Sequence, residues 1–237
     1  MFLSRLILDS RNRGVQRDLG NCQELHRTLL TAFPQADSEA ARADFGLLFR
    51  VETNTRTGTV NVLAQSRIQP NWSQLPKDYL FDVAGNPACQ SIAEKYSAHV
   101  LCNHRQLRFR LRANPTRKIE TKSLPDGTKR NGKRVELNRE EDQIAWLQRK
   151  AAAAGFQVVS LRVNPEAPNL RANTENKLIG WRSREEHSRE KRRLIFGSVL
   201  FEGELKINDA EQFQETLKTG IGPGKAYGFG LLSIAPA

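Results

Sequence analysis

Five glycines, one proline and one lysine crowd into eleven positions of this chain, Gly220-Ile221-Gly222-Pro223-Gly224-Lys225-Ala226-Tyr227-Gly228-Phe229-Gly230. Glycine has no Cβ, so such a loop can turn sharply and press its backbone N–H groups against a ligand. Amides that converge in this way bind phosphate oxygens. Gly222, Gly224, Lys225 and Tyr227 are the candidate contacts. A nucleotide P-loop does not fit. That motif needs four residues between its first glycine and Gly-Lys, then Ser or Thr, and it lies between a strand and a helix. Here only Ile221, Gly222 and Pro223 separate Gly220 from Gly224-Lys225, Ala226 follows, and the loop comes after a helical pattern. The competing reading is a tight structural turn.

Of the four histidines, His26, His99, His104 and His187, His26 has the most suggestive context. It stands beside the Leu25–Leu29 stripe of a helical pattern, with Gln23 one turn earlier, Leu30 one turn later and Arg27 adjacent. An imidazole at a helix edge near cations can move protons near neutral pH. A packed or solvated histidine is the ordinary alternative.

Other hydrolytic chemistries lack their residues. There is no H-E-x-x-H, no His–carboxylate cluster and no D-x-D. Glu140-Glu141-Asp142 falls in the first turn of a helical pattern, where the macrodipole accounts for it. No nucleophile elbow is present. Cys22, Cys89 and Cys102 are far apart and form no C-x-x-C, so neither a zinc site nor a disulfide framework is indicated. No cofactor, metal or nucleotide is expected. Metal-free proton transfer remains, and RNA suits it because RNA carries its own nucleophile, the 2′-OH. A protein need only align that oxygen with the phosphorus and the departing 5′ oxygen, move protons and stabilise the added charge. The products are a 2′,3′-cyclic phosphate and a 5′-OH.

The 237 residues suffice for one large domain or two small ones. Lys and Arg number 37 against 26 Asp and Glu, a net charge of +11 that favours polyanionic partners. The charge is clustered. Between Trp181 and Arg193 there are six cations in thirteen residues: Arg182, Arg184, Arg189, Lys191, Arg192 and Arg193. At a hairpin tip these could follow the phosphates of an RNA stem, whose major groove is deep and narrow. Glu185, Glu186 and Glu190 temper the charge, so an ordinary exposed hairpin is the alternative. Arg108, Arg110 and Arg112 are candidate RNA contacts with the same ambiguity. No apolar run approaches a membrane span, and the first residues lack a signal-peptide pattern. A cytoplasmic protein with no membrane partner is expected.

Several elements must position these groups. Phe2–Leu8 reads as a strand, Arg11–Asp18 as a basic connection, and Cys22–Phe33 as a helix with Asn21 and Glu24 as a capping box and Pro34 as its stop. Phe45–Glu52 and Thr59–Gln65 form a hairpin. Ser91–Ala98 reads as a short helix. Leu107–Arg112 alternates strictly, placing Leu107, Phe109 and Leu111 inward. This β-α-β-β-α-β order is ferredoxin-like. The theme returns after a polar stretch: strand Arg134–Leu137, a helix opened by Asn138 and Glu141, strand Phe156–Val163, a hairpin of Lys177–Arg182 with Leu194–Ile207, a helix opened by Asn208 and Glu211, and a last strand. The expected architecture is α+β, two tandem ferredoxin-like domains at 1–114 and 133–237 joined by a linker at 115–132.

The chain also resembles the CasE family, the CRISPR repeat-processing endoribonucleases of the type I-E Cascade complex. The likeness runs almost end to end. It includes FLSRLIL at 2–8, Arg17-Asp18-Leu19 followed by Glu24-Leu25-His26, FRLRANP at 109–115, QIAWLQRK at 143–150, LFEGELKINDA at 200–210 and GIGPGKAYGFGLLSIAP from Gly220. The resemblance implies tandem ferredoxin-like domains and metal-independent cleavage of precursor CRISPR RNA at the base of each repeat hairpin. It also implies retention of the product and assembly with other Cascade subunits. The family's catalytic histidine falls on His26, and its RNA contacts on the glycine loop and the basic hairpin. Close relatives carry a tyrosine one turn before the histidine; here Gln23 stands there, and an amide does not usefully exchange a proton. Either His26 does more of the proton work, or another group such as Tyr227 substitutes, or turnover is slow. Thr31 stands where some relatives have lysine. Two readings stay open: an endoribonuclease in which His26 is acid or base while Arg27 and Lys225 steady the phosphate, and a weak or inactive subunit that holds an RNA hairpin.

Overall fold

A computed structural model describes residues 1–34, 44–92, 101–119, 132–183 and 191–237, of which residues 182, 183 and 191 are described by their backbone alone. Strand β1 (Phe2–Leu8) turns Ser4, Leu6 and Leu8 into the core. Two helices follow, α1 (Arg13–Leu19) and α2 (Cys22–Leu30). The hairpin of β2 (Leu48–Thr53) and β3 (Val60–Ser66) comes next, then a 3₁₀ turn at Trp72–Gln74 and β4 (Ala88–Ser91). The sheet order is β2-β3-β1-β4, antiparallel throughout. Leu25, Leu29, Ala32 and Phe33 pack on this sheet beside Phe49, Val62 and Trp72. A fully buried side chain such as Leu29 contributes about 1.5–3 kcal/mol relative to exposure, enough to hold a nine-residue helix that would not persist alone.

The second half opens with β5 (Gln106–Ala113), a ribbon of β6 (Thr116–Ile119) with β7 (Lys133–Glu136), and helix α3 (Glu140–Ala153). There follow β8 (Phe156–Val158), β9 (Leu170–Ser183), β10 (Lys191–Ile207), helix α4 (Ala210–Thr219) and β11 (Leu232–Pro236). Its order is β11-β5-β10-β8, with β9 added along β10. Counting only the four strands on each path, β1 to β4 and then β5, β8, β10 and β11, each sheet reads fourth-first-third-second, the antiparallel ferredoxin-like order.

Several expectations change. Gln106–Ala113 has the alternation read from the sequence, but it is the first strand of the second sheet and not the last of the first, pairing with β10 and β11. The first sheet is completed by β4, which lies on the other side of β1 from β3. Of the expected linker, Thr116–Ile119 is a strand paired to Lys133–Glu136, and that ribbon stands outside both large sheets. Ser91 ends β4; the rest of the short helix expected at Ser91–Ala98 falls mainly outside the described residues. Arg13–Leu19 is a helix and not an open connection, capped by Asn12, whose side chain accepts from the N–H groups of Gly14 and Val15. Helix α3 starts one residue later than its capping box proposed, at Arg139 with no side-chain cap, and Glu140, Glu141 and Asp142 face its positive end. Helix α4 is capped by Asp209, not Asn208, through the Gln212 N–H.

Ion pairs and hydrogen bonds join the two halves. Arg50 of β2, 2% exposed, pairs with Glu52 at 2.8 Å and donates to the carbonyl of Leu231 at 3.2 Å and the hydroxyl of Ser233 at 3.1 Å. Gln65 donates to the carbonyl of Leu217 at 2.6 Å. No described helix is long and apolar enough to cross a membrane.

Candidate active site

Helix α2 is held from below by a buried carboxylate. Asp18 is fully buried and accepts from the Thr28 hydroxyl at 2.6 Å, the Tyr79 hydroxyl at 2.9 Å and Nε of Arg17 at 2.8 Å. Burial, then the neighbouring Asp18 charge, raises the Tyr79 phenol far above its ordinary value, so it stays a donor. The N-terminus of α2 is capped by Asn21, whose Oδ1 accepts from the Gln23 N–H at 3.2 Å. These contacts, with Leu25 and Leu29 buried, leave the helix little freedom to roll.

His26 is half-buried at the margin of this packing. Its ring lies parallel to Phe49, with centroids 6.5 Å apart and planes inclined by 10°. Gln23 is half-buried and Arg27 is exposed; Arg27 pairs with Glu24 at 3.3 Å. The 3₁₀ turn Lys225–Tyr227 of the glycine loop packs against both α2 and β2. The fold therefore brings the C-terminal glycine loop to the helix that carries His26.

The loop itself explains its glycines. Gly220, Gly222, Gly224, Gly228 and Gly230 all have φ between 75° and 89°, a region closed to most side chains. Gly222 lies where a Cβ would stand 3.0 Å from the Trp146 ring, and at Gly228 a Cβ would stand 3.2 Å from Phe49. Five glycines are thus accounted for by backbone shape and close packing without any ligand, as a structural turn requires. The loop is tied down by the Ile221 N–H to the Gly230 carbonyl at 3.0 Å and the Gly230 N–H to the Arg112 carbonyl at 2.9 Å. Tyr227 is half-buried and stacks on Phe196 at 4.6 Å.

The alternating arginines divide. Arg108 is exposed, and its Nε donates to the Pro236 carbonyl at 2.9 Å. Arg110 pairs with Glu202 at 2.6 Å and with Glu52 at 3.2 Å. Arg112 forms a bidentate pair with Glu175 and donates to the Val51 carbonyl. Burial raises the Glu175 carboxyl, but Arg112 and the Ser198 hydroxyl outweigh it and hold its pKa below the ordinary range. Arg110 and Arg112, candidate RNA contacts, are engaged in ion pairs at the seam between the sheets, with Arg110 still exposed.

The basic hairpin is the ribbon of β9 and β10. Arg182 and Lys191 lie at its far end in paired backbone, Arg192 is exposed, and Arg184 and Arg189 fall outside the described residues. Close to that far end the ribbon reaches α2, where the Trp181 N–H donates to Asn21 Oδ1 at 3.1 Å. Trp181 is exposed, with the Arg193 guanidinium 5.8 Å from its ring centroid.

One feature was missed from the sequence. A groove of about 690 Å³ runs beside the glycine loop, lined by Arg117, Lys118, Arg134, Arg149, Lys150 and Lys225 with no carboxylate among its lining residues. These cations come from the β6–β7 ribbon, α3 and the loop, so only the Arg117-Lys118 and Arg149-Lys150 doublets are local signals and their convergence is not. Among the described residues no group of three or more His, Cys, Asp or Glu side chains is arranged to hold a metal ion.

The family model described as CRISPR associated protein matches residues 1–236. The chain is 34% identical over 236 residues to the CRISPR-associated endoribonuclease Cse3 of Thermus thermophilus, covering all of both proteins. It is also 34% identical over 238 residues to the CRISPR system Cascade subunit CasE of Escherichia coli, again covering all of both. Among solved structures it resembles the CRISPR endoribonuclease Cse3 bound to a 19-nucleotide RNA, with a TM-score of 0.75, 33% identity and full coverage of both chains.

Proposed function

Because the chain belongs to the family of CRISPR-associated proteins, we propose that it is a metal-independent endoribonuclease that binds the CRISPR repeat hairpin and cuts precursor CRISPR RNA at its base. The 2′-OH at the cut site attacks the adjacent phosphorus, the P–O5′ bond breaks, and the products carry a 2′,3′-cyclic phosphate and a 5′-OH. His26 takes the 2′-OH proton or supplies one to the departing 5′ oxygen, a role within reach of an imidazole near neutral pH. Gln23 orients the nucleophile by hydrogen bonding, and Arg27 and Lys225 steady the phosphate. After cutting, the protein keeps the product hairpin and joins other subunits of a Cascade-type complex in the cytoplasm.

The observation that carries this reading is the position of α2, packed on one side by the 3₁₀ turn Lys225–Tyr227 and on another by strand β9 of the basic ribbon. The RNA stem lies along the carboxylate-free groove, with Arg182, Lys191 and Arg192 of the ribbon and Gly222, Gly224 and Tyr227 of the loop as its backbone contacts, joined by Arg184 and Arg189, which lie outside the described residues. Arg108 adds a charge at the edge, whereas Arg110 and Arg112 act by holding the halves together. The chain divides into two ferredoxin-like units between residues 92 and 106, each keeping a complete four-strand order.

Gln23, at the position where the resemblance to CasE implies a tyrosine, supports a second reading, a subunit that grips the hairpin without cutting it. Incubation with end-labelled repeat RNA in EDTA separates the two. The enzyme yields a cyclic-phosphate product that disappears in His26→Ala and with a single 2′-deoxy substitution at the cut site. The scaffold binds tightly and leaves the RNA intact.

A further inference from the structure

The far part of the basic ribbon, at Trp181, and the start of α2 share one acceptor. Asn21 Oδ1 receives the Gln23 N–H of the helix and the Trp181 N–H of β9, at 3.2 and 3.1 Å. Beside it, Gly180 faces Cys22. A Cβ at position 180 would stand 2.8 Å from Cys22 Sγ, a distance that forces something to move. Gly180 pairs in register with Leu194 in an ordinary strand, and its φ lies outside the left-handed region. Proximity to the helix, rather than backbone conformation, is what calls for glycine there. Burial pushes the Cys22 thiol up to about 11, so near neutral pH it is an uncharged packing surface. Cys22 and His26 are four residues apart, one above the other on the same side of α2. The other edge of the ribbon reaches the same helix indirectly: Phe196 of β10 stacks on Tyr227, within the turn that packs against α2.

The geometry points to a coupling seam, Asn21 and Cys22 against Gly180 and Trp181, through which the seating of the β9–β10 ribbon on RNA sets the position of His26. Asn21 and Gly180 are positioning residues. This inference rests on the endoribonuclease reading above. RNA held by the ribbon but without a close seam leaves the imidazole displaced from the 2′-OH, and misplacement by an ångström is enough to slow a positioned reaction ~100-fold. Binding, carried by cations elsewhere, is preserved.

The test uses the full chain and a labelled repeat hairpin in EDTA, with affinity and single-turnover cleavage at saturating protein measured separately. Gly180→Ala is expected to bind within about threefold of wild type and to cleave ~10- to 100-fold more slowly. Adding Cys22→Ala removes the Sγ that the new methyl meets and restores the rate. Asn21→Ala slows cleavage in the same way, while Asn21→Asp keeps an oxygen for both N–H donors and cleaves near the wild-type rate. A folded Gly180→Ala that cleaves like wild type, or a loss not recovered by Cys22→Ala, overturns the seam while leaving the enzyme reading intact. If Gly180→Ala does not fold, equal rates for Asn21→Ala and Asn21→Asp overturn it. A wild-type protein that binds and never cuts removes both.

Discussion

His26 and Phe49 lie with their rings parallel, 10° apart in plane, although they come from a helix and from a strand of the sheet beneath it. Phe49 is fully buried, and the same ring limits the space at Gly228. One aromatic side chain therefore sets both the height of the imidazole and the approach of the glycine loop.

Replacing that ring tests its role. Phe49→Leu keeps an apolar group in the core but removes the flat surface beneath His26. Single-turnover cleavage of the repeat hairpin is expected to fall roughly tenfold or more, while the affinity for RNA stays within a factor of about two to three. An equal fall in both would make Phe49 a determinant of overall folding only.

The carboxylate-free groove makes a prediction about salt. Each cation that neutralises a phosphate contributes about one unit to the slope of log affinity against log salt. Arg149→Ala and Lys150→Ala should each flatten that slope by about 0.9 and weaken binding at every repeat sequence alike. Cleavage at saturating protein should not change, since neither residue lies on α2. Filter binding from 50 to 400 mM salt measures the slope, and an unaltered slope would remove the groove from the RNA path.

Arg50 is the sharpest test of the seam between the halves. It is 2% exposed, and burial, opposed by the Glu52 charge, lowers its pKa. Arg50→Ala strips Glu52 of a partner and leaves the carbonyl of Leu231 without this donor, a loss of about 3–5 kcal/mol. Urea denaturation should show a lower midpoint and, once the halves uncouple, a broadened transition.

Acid should attack the same seam. Burial raises the carboxyls of Glu52 and Glu175, but Arg50 for the first and Arg112 for the second reverse the effect, so both pKa values lie below the ordinary glutamate value of 4.5. A carboxylate with a depressed folded pKa contributes stability that is present above 4.5 and is lost as pH falls through the folded value. Urea midpoints should therefore drop as the pH falls below about 4.5. Glu175→Gln should lower stability at pH 7 by about 1.5–3 kcal/mol and make the acid limb shallower.

Local patterns in the sequence reached far, and their failures have physical causes. The stripe of Leu25 and Leu29 beside His26, and the alternation from Leu107 to Arg112, both reflect periodicities of a single element, and both match the buried and outward sets observed. Helix α1 was not legible because only Val15 and Asp18 are buried in it, too few for a stripe. Arg110 and Arg112 read as open cations because their partners, Glu202 and Glu175, stand 92 and 63 residues away.

The amino-acid order alone determined the secondary-structure vocabulary, the excess positive charge, the helix that bears His26 and, through long shared segments, the family. Which strand completes each sheet was decided only in three dimensions, because β5 offers two hydrogen-bonding edges and its own residues do not say which strands will take them. The same holds for the convergence of the C-terminal loop and the ribbon on α2, and for the groove whose cations come from three separate elements. Periodicity is a property of neighbours along the chain, whereas a site is made by contacts between distant residues, and those exist only after the backbone has paired and the core has closed.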